Sequence, residues 1–95
     1  MRQIDSSVLV TKWIETPGIG RWLKNTMREH DLKNIDLIRA GISPENVQYW
    51  KYRCSREPRI WNQKHLCRVL AQLSGLTQTE LYLSLREELS IKRRG

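Results

Sequence analysis

The sequence predicts a single all-α domain of five short helices that follows an N-terminal extension. Apolar residues recur at helical rather than strand spacing along most of the chain. Signals that cap and end helices separate these apolar segments. The length of 95 residues leaves room for one hydrophobic core, and an apolar fraction of 39% is enough to form it.

The first segment with a clear helical pattern follows Pro17 and Gly18. Its apolar face is predicted to comprise Ile19, Trp22, Leu23, Met27 and His30, with Thr26 between them. Pro17 suits the first position of this helix, which we expect to end near Asp31. The preceding residues, 4–15, are compatible with a short helix but also with an extended arm, because several of them are β-branched.

Two short helices joined by a tight turn are predicted next. Asn34 can cap the first of them, and Gly41 can adopt the left-handed conformation that ends it. Ser43 can then cap a second helix with Pro44 at its first position, and Glu45 suits the positive end of that helix. We expect this second helix to extend to about Arg53, with Val47 and Trp50 facing inward.

A loop and two longer helices are predicted in the last third of the chain. Residues 54–59 form the loop, because Pro58 disfavours helix at the residue before it. The fourth helix is expected over residues 60–73, where Gly75 and Leu76 provide a stop signal. Its apolar residues are Leu66, Val69, Leu70 and Leu73.

A capping box opens the fifth predicted helix. Thr77 and Glu80 have the spacing at which each side chain can bond the other residue's backbone N–H. The apolar residues of this helix are Leu81, Leu85 and Leu89. Residues 90–95 are rich in Lys and Arg, and we expect them to form a frayed basic tail.

The charge of the chain indicates an anionic partner. Seventeen Lys and Arg against ten Asp and Glu give a formal net charge of +7. Such a surface attracts polyanions, although many basic proteins bind no nucleic acid. No stretch approaches the roughly 20 apolar residues of a membrane span, and no signal-peptide pattern is present. We expect a cytoplasmic protein.

The order and spacing of these segments resemble the lambda-repressor-like helix-turn-helix family of phage and bacterial regulators. The residues that carry the resemblance are Gly41-Ile42-Ser43 at the turn, Val47 and Trp50 as anchors, Pro58-Arg59 and the two helices that follow. The resemblance covers roughly residues 19–88. It implies a helix-turn-helix domain over residues 17–89, with residues 1–16 as an arm or short helix and 90–95 as a tail.

The family resemblance makes the second short helix, from Pro44 to about Arg53, the recognition helix and places four of its residues against base edges. These are Pro44, Glu45, Asn46 and Tyr49, and Gln48 joins them if the helix is rolled slightly. An amide can bind adenine through two hydrogen bonds, a carboxylate can accept from cytosine N4, and Tyr49 can contact a thymine methyl or a phosphate. The same composition also suits the solvated side of a surface helix, so both interpretations remain open.

Phosphate contacts are predicted on either side of this helix. The segment from Lys51 to Arg59 carries four cations around one acid, next to the groove where phosphates lie. The predicted phosphate-binding residues are Lys51, Tyr52, Arg53, Arg56 and Arg59, together with Lys33 and Asn34 at the start of the second helix. A solvated charged surface is the alternative interpretation.

Catalysis and metal binding find little support in the sequence. His65 and Cys67 are two residues apart and point away from each other on a helix. No phosphate-binding Gly loop, nucleophile elbow or pair of carboxylates is present. Cys54 and Cys67 form no CxxC pair, and two ordinary thiols are expected. We therefore predict no enzyme activity, no cofactor, no metal and no small-molecule ligand.

The function predicted from the sequence is sequence-specific binding of double-stranded DNA by a transcriptional regulator, which we expect to associate with the nucleoid through DNA binding. A homodimer on a pseudo-palindromic operator would place two recognition helices in successive major grooves, with the last helix or the N-terminal segment as dimer contact. The alternatives are a protein-interaction module, such as an antitoxin or adaptor, and an RNA-binding protein that stacks bases on tryptophan. Trp22 and Trp50 are predicted in the core, and Trp13 and Trp61 at the dimer interface.

Overall fold

The computed structural model describes residues 16–94, and within that range the chain forms five α-helices and no strand. The helices are α1 (Ile19–Glu29), α2 (Asn34–Arg39), α3 (Pro44–Gln48), α4 (Ile60–Ser74) and α5 (Gln78–Arg94). A π-helical turn, Tyr49–Arg53, continues directly from α3. The all-α prediction is confirmed for these residues. The predictions for residues 1–15, including Trp13, lie outside them.

One hydrophobic core joins the five helices. Helix α4 packs along α5, α1 packs against α5 and the π-helical turn, and α2 packs against α3 and α4. The buried apolar residues are Ile19, Trp22, Leu23, Met27, Leu37, Ile42, Val47, Trp50, Leu66, Cys67, Val69, Leu70, Leu81, Leu85 and Leu89. The predicted core positions of Trp22 and Trp50 are confirmed. Leu73 lies half-buried at the edge, and no helix of residues 16–94 is long and apolar enough to cross a membrane.

Most predicted helix ends are confirmed. The Oγ of Ser43 accepts the backbone N–H of Asn46 at 3.2 Å, so Ser43 caps α3. Gly41 and Gly75 have φ values of 114° and 84°, which L side chains rarely adopt, and they follow α2 and α4. The backbone N–H of Thr77 donates to Glu80 Oε1 at 2.9 Å, as the capping box requires.

Two predicted helix starts were wrong. Helix α1 begins at Ile19 rather than Pro17, because Gly18 has a φ of 151°, which is not helical and which L side chains rarely adopt, and donates its N–H to Glu88 Oε2 at 2.9 Å. Asn34 is the first residue of α2 and not its cap. The capping bond at α2 is instead made by Asp36 Oδ2, which accepts the backbone N–H of Lys33 at 2.8 Å.

The end of the described chain also differs from the prediction. Helix α5 continues through Arg94, so the expected frayed tail is helical up to that residue. Two contacts explain the extension. Leu89 is buried in the core, and the guanidinium of Arg93 donates to Glu57 Oε1 at 2.9 and 3.0 Å. The last turn of α5 is therefore fixed against the loop that follows the π-helical turn.

Candidate nucleic-acid interface

Helix α3 has a buried side and a polar exposed side. Val47 on α3 and Trp50 in the π-helical turn are 1% and 4% exposed, and the neighbouring Ile42 is 2% exposed. A helix of five residues is not stable alone, so these anchors determine its position. The five side chains predicted to read bases are all exposed, four of them on α3 and one at the start of the π-helical turn; they are Pro44, Glu45, Asn46, Gln48 and Tyr49.

Three of these side chains are available for a partner. Within residues 16–94, the side chains of Glu45, Asn46 and Gln48 form no hydrogen bond or ion pair. Ser43 binds the backbone N–H of Asn46 and leaves its amide side chain available. An amide in this state retains its donor and acceptor groups, which is the chemistry that a base edge requires.

Tyr49 differs from the other four in its interaction with Cys54. A hydrogen bond with the Cys54 side chain raises the pKa of Tyr49, and the charge interaction with Cys54 acts in the same direction. The Cys54 backbone N–H also donates to the Tyr49 carbonyl at 2.8 Å, which is the i to i+5 bond of the π-helical turn.

The end of the π-helical turn and the loop after it expose cations that have no acidic partner in the described part of the chain. Arg53, Arg56 and Arg59 are exposed and form no ion pair there. Arg59 also precedes α4, and its carbonyl accepts the first backbone bond of that helix from Gln63. The structure therefore places three of the predicted phosphate-binding residues on one segment, next to the polar side of α3.

Glu57, the one acid of this segment, is directed toward α5. It accepts from Arg86 Nη1 at 2.8 Å and from Arg93 Nη2 at 2.9 Å. The hydrogen bond from Arg86 holds the pKa of Glu57 below its usual value, and Arg93 adds to this effect. Because arginines of α5 compensate the Glu57 carboxylate, this carboxylate does not offset the charges of Arg56 and Arg59.

Three predicted phosphate-binding residues are less available for phosphate than expected, because they contact each other; they are Lys51, Tyr52 and Asn34. The Nζ of Lys51 donates to Asn34 Oδ1 at 2.7 Å and lies 5.5 Å from the centre of the Tyr52 ring. This bond connects the π-helical turn to the start of α2. Lys33 is exposed beside it, but Asp36 brings a carboxylate to the same helix start. The predicted anion site there has less free positive charge than the sequence indicated.

Gln63 is a positioning residue that the sequence analysis missed. It is 1% exposed, donates from Nε2 to the Pro58 carbonyl at 2.6 Å and accepts from Arg86 at 3.3 Å. These bonds fix the end of the arginine-bearing loop against α4 and α5. The sequence contained a signal, since Gln63 shares helical spacing with Leu66, Cys67 and Leu70 and so lies on the buried stripe.

Neither cysteine belongs to a disulfide or a metal cluster in residues 16–94. Cys54 and Cys67 are free thiols, and burial raises the pKa of Cys67 to about 12. No group of three or more His, Cys, Asp or Glu side chains in that range is arranged to hold a metal ion. Cys67 therefore acts as a small apolar core residue.

Comparisons with protein-family models, with curated proteins and with solved structures found no match to this chain. The interpretation of the surface around α3 therefore depends on its own geometry and charge.

Proposed function

We propose that this chain is a sequence-specific DNA-binding regulator in which α2, residues 40–43 and α3 act as a helix-turn-helix. In such a unit the first helix supports the backbone contacts while the second lies in the major groove. The lambda-repressor-like resemblance of the sequence belongs to the same proposal. Bases would be read from α3, and phosphates bound by Arg53, Arg56 and Arg59.

The division of α3 into two sides is the observation that supports this proposal most strongly. Val47 and Trp50 are buried, whereas the amides and the carboxylate between and before them are exposed and have no intramolecular partner in the described residues. A cationic loop follows directly in sequence. A helix that only covered a core would not require hydrogen-bonding groups beside unpaired arginines.

Association of two copies is part of the proposal, because one α3 offers few base contacts for strong specificity. The last helix is the proposed contact. It exposes two large apolar side chains, Leu83 at 62% and Ile91 at 37%. Two copies would place their α3 helices about one helical turn of DNA apart, roughly 34–36 Å, on a pseudo-palindromic site.

Selection from a random duplex pool, followed by competition, tests the proposed function. The full chain should enrich one duplex that binds at least about a thousandfold more tightly than random duplex, the lower range for specific binders. If random duplex competes as well as the enriched sequence, the proposal of sequence-specific recognition is wrong. The same assay should include single-stranded RNA.

Single-strand binding is a second candidate, because Trp61 is 68% exposed two residues after Arg59. An exposed indole beside a guanidinium can stack an unpaired base. Tryptophan fluorescence that is quenched by single strands but not by duplex would favour this candidate. The effect should disappear in Trp61→Phe, while the proposed regulator should bind duplex normally with this substitution.

Asn46→Ala should weaken binding to the selected duplex by about 1–3 kcal/mol, with the loss concentrated at one base position. The substitution removes the amide but leaves the Ser43 cap, which binds only the backbone. Affinities for single-base variants of the site measure the effect. Asn25→Ala, an exposed amide on α1, is the matched control and should bind as the parent does. An unchanged base preference in Asn46→Ala would contradict the assigned reading side.

Arg56→Ala should weaken binding to every duplex by a similar factor. Removing one phosphate contact should reduce the slope of log affinity against log salt by about one. Arg68→Ala removes an exposed arginine from α4, outside the cationic loop, and should leave the slope unchanged. Equal slopes for Arg56→Ala and Arg68→Ala would show that the loop makes no specific contact with the DNA backbone.

A further inference from the structure

The carboxylate of Glu57 connects the arginine-bearing loop, residues 54–59, to the C-terminal half of α5. Its Oε2 accepts from Arg86 Nη1 at 2.8 Å, and its Oε1 accepts from Nη2 and Nε of Arg93 at 2.9 and 3.0 Å. The two arginines are seven residues apart, about two helical turns, so they lie on the same side of α5. The acid of the loop is therefore held between two cations of another helix.

Hydrogen bonds fix the backbone of the loop on both sides of this carboxylate. On one side, Gln63 is 1% exposed and donates from Nε2 to the Pro58 carbonyl at 2.6 Å. Gln63 Oε1 also accepts from Arg86 Nη1 at 3.3 Å. On the other side, the Cys54 thiol donates to the Arg56 carbonyl at 3.2 Å. The carboxylate thus projects toward α5 from a loop whose own path is held in place.

The positive field of the loop depends on which cations Glu57 meets. In sequence it stands next to Arg56 and two residues before Arg59, and a carboxylate close to a guanidinium reduces the attraction of that guanidinium for an anion. In the structure it pairs instead with α5. The hydrogen bond from Arg86 lowers the pKa of Glu57, and Arg93 adds to this effect, as expected for a compensated carboxylate.

We propose that Arg93, supported by Arg86, is a positioning residue for the phosphate-binding loop. It holds Glu57 against α5 and so raises the affinity of Arg56 and Arg59 for a polyanion, without contacting the polyanion itself. The inference rests on the proposed phosphate contacts of this loop. It assigns control of binding strength to a helix outside the proposed helix-turn-helix, at a residue 36 positions after Glu57.

Binding of a random duplex and of heparin, a sulfated polyanion without bases, tests the proposal with matched variants of the full chain. Arg93→Gln should weaken binding of both polyanions about two- to fivefold more than Arg94→Gln, the range for one exposed ion pair. Arg94 is the next residue of α5, is exposed and forms no ion pair within residues 16–94. Both variants lose one positive charge, so their difference reports the contact with Glu57. Arg93→Lys, which keeps the charge, should bind more tightly than Arg93→Gln.

A Glu57→Gln background shows whether Arg93 acts through Glu57. Because no carboxylate remains to be held, Arg93→Gln and Arg94→Gln should weaken binding by the same factor in this background. A larger effect of Arg93→Gln there would mean that Arg93 contacts the polyanion directly, and it would overturn the proposal. Equal effects of the two substitutions in the parent chain would overturn it as well.

A measurement without any polyanion follows the contact itself. In a pH titration by nuclear magnetic resonance, Arg93→Gln should raise the pKa of Glu57 toward its usual value, because a compensating cation is removed. Arg94→Gln should leave it unchanged, and an unchanged value in both variants would contradict the proposal.

Failure of this proposal can be told apart from failure of the proposed regulator. Neither heparin nor a random duplex contains a selected site, so absence of sequence preference would contradict only the regulator. A chain that bound heparin but no duplex would also contradict only the regulator, and the comparison of Arg93→Gln with Arg94→Gln would be made on heparin. A chain that bound neither polyanion would overturn both.

Discussion

Trp50→Ala is expected to lower the free energy of unfolding by about 3–5 kcal/mol, the usual loss for a buried aromatic residue. Trp50 is 4% exposed and anchors the π-helical turn in the core. Small domains are stable by only about 5–15 kcal/mol, so much of the stability would be lost. Urea unfolding followed by far-ultraviolet circular dichroism measures the change.

Trp61→Ala is the matched control for this experiment. The same side chain is removed, but Trp61 is 68% exposed at the start of α4. Its loss should change the free energy of unfolding by no more than about 0.5 kcal/mol. If both substitutions reduce stability equally, Trp50 does not hold the π-helical turn in the way described.

Gly20→Ala is the second substitution with a large expected effect, although alanine normally favours helix. The new methyl group would lie 2.7 Å from the Lys51 carbonyl and 3.4 Å from that of Trp50, so α1 and the π-helical turn must separate. Overpacking of this kind costs about 1–3 kcal/mol, more than the gain of about 1 kcal/mol from helix propensity. We therefore expect a net loss of stability.

Asn25→Ala shows the effect of alanine on the same helix without the collision. Asn25 is exposed on α1, and its replacement should be neutral or slightly stabilising. Thermal unfolding of both variants compares the two positions. A Gly20→Ala chain that melts at or above the parent temperature would show that α1 and the turn do not pack as closely as the structure indicates.

Helix ends were predictable wherever the interaction that fixes them is local. Ser43 with Asn46, and Thr77 with Glu80, are three residues apart, and Gly41 stops α2 through its own φ angle. The buried side of α3 could be predicted equally well, since Val47 and Trp50 follow the helical repeat. These residues determine which side of α3 faces outward, so the exposed part of the candidate site could be located from the sequence.

The features that were missed depend on contacts between distant residues. The π-helical turn packs its carbonyls against Gly20, about 30 positions earlier, which no local pattern encodes. Glu57 was grouped with the cations around it, whereas its partner Arg93 lies 36 residues away. The approach of Arg21, Lys51 and Lys92 around one cleft was missed for the same reason, because these cations converge only when α1, the turn and α5 pack together.

Glu57 in the arginine-bearing loop is paired with Arg86 and Arg93 of α5. The net charge of that loop therefore depends on α5 as well as on the loop's own residues. While α5 neutralises the carboxylate, Arg56 and Arg59 act with their full positive field. A rearrangement that withdrew the last turn of α5 would remove Arg93 from Glu57, leave Arg86 as its partner, and so reduce the positive charge at the loop and its attraction for polyanions. By linkage, a ligand held by the loop's arginines would favour the docked position of that turn.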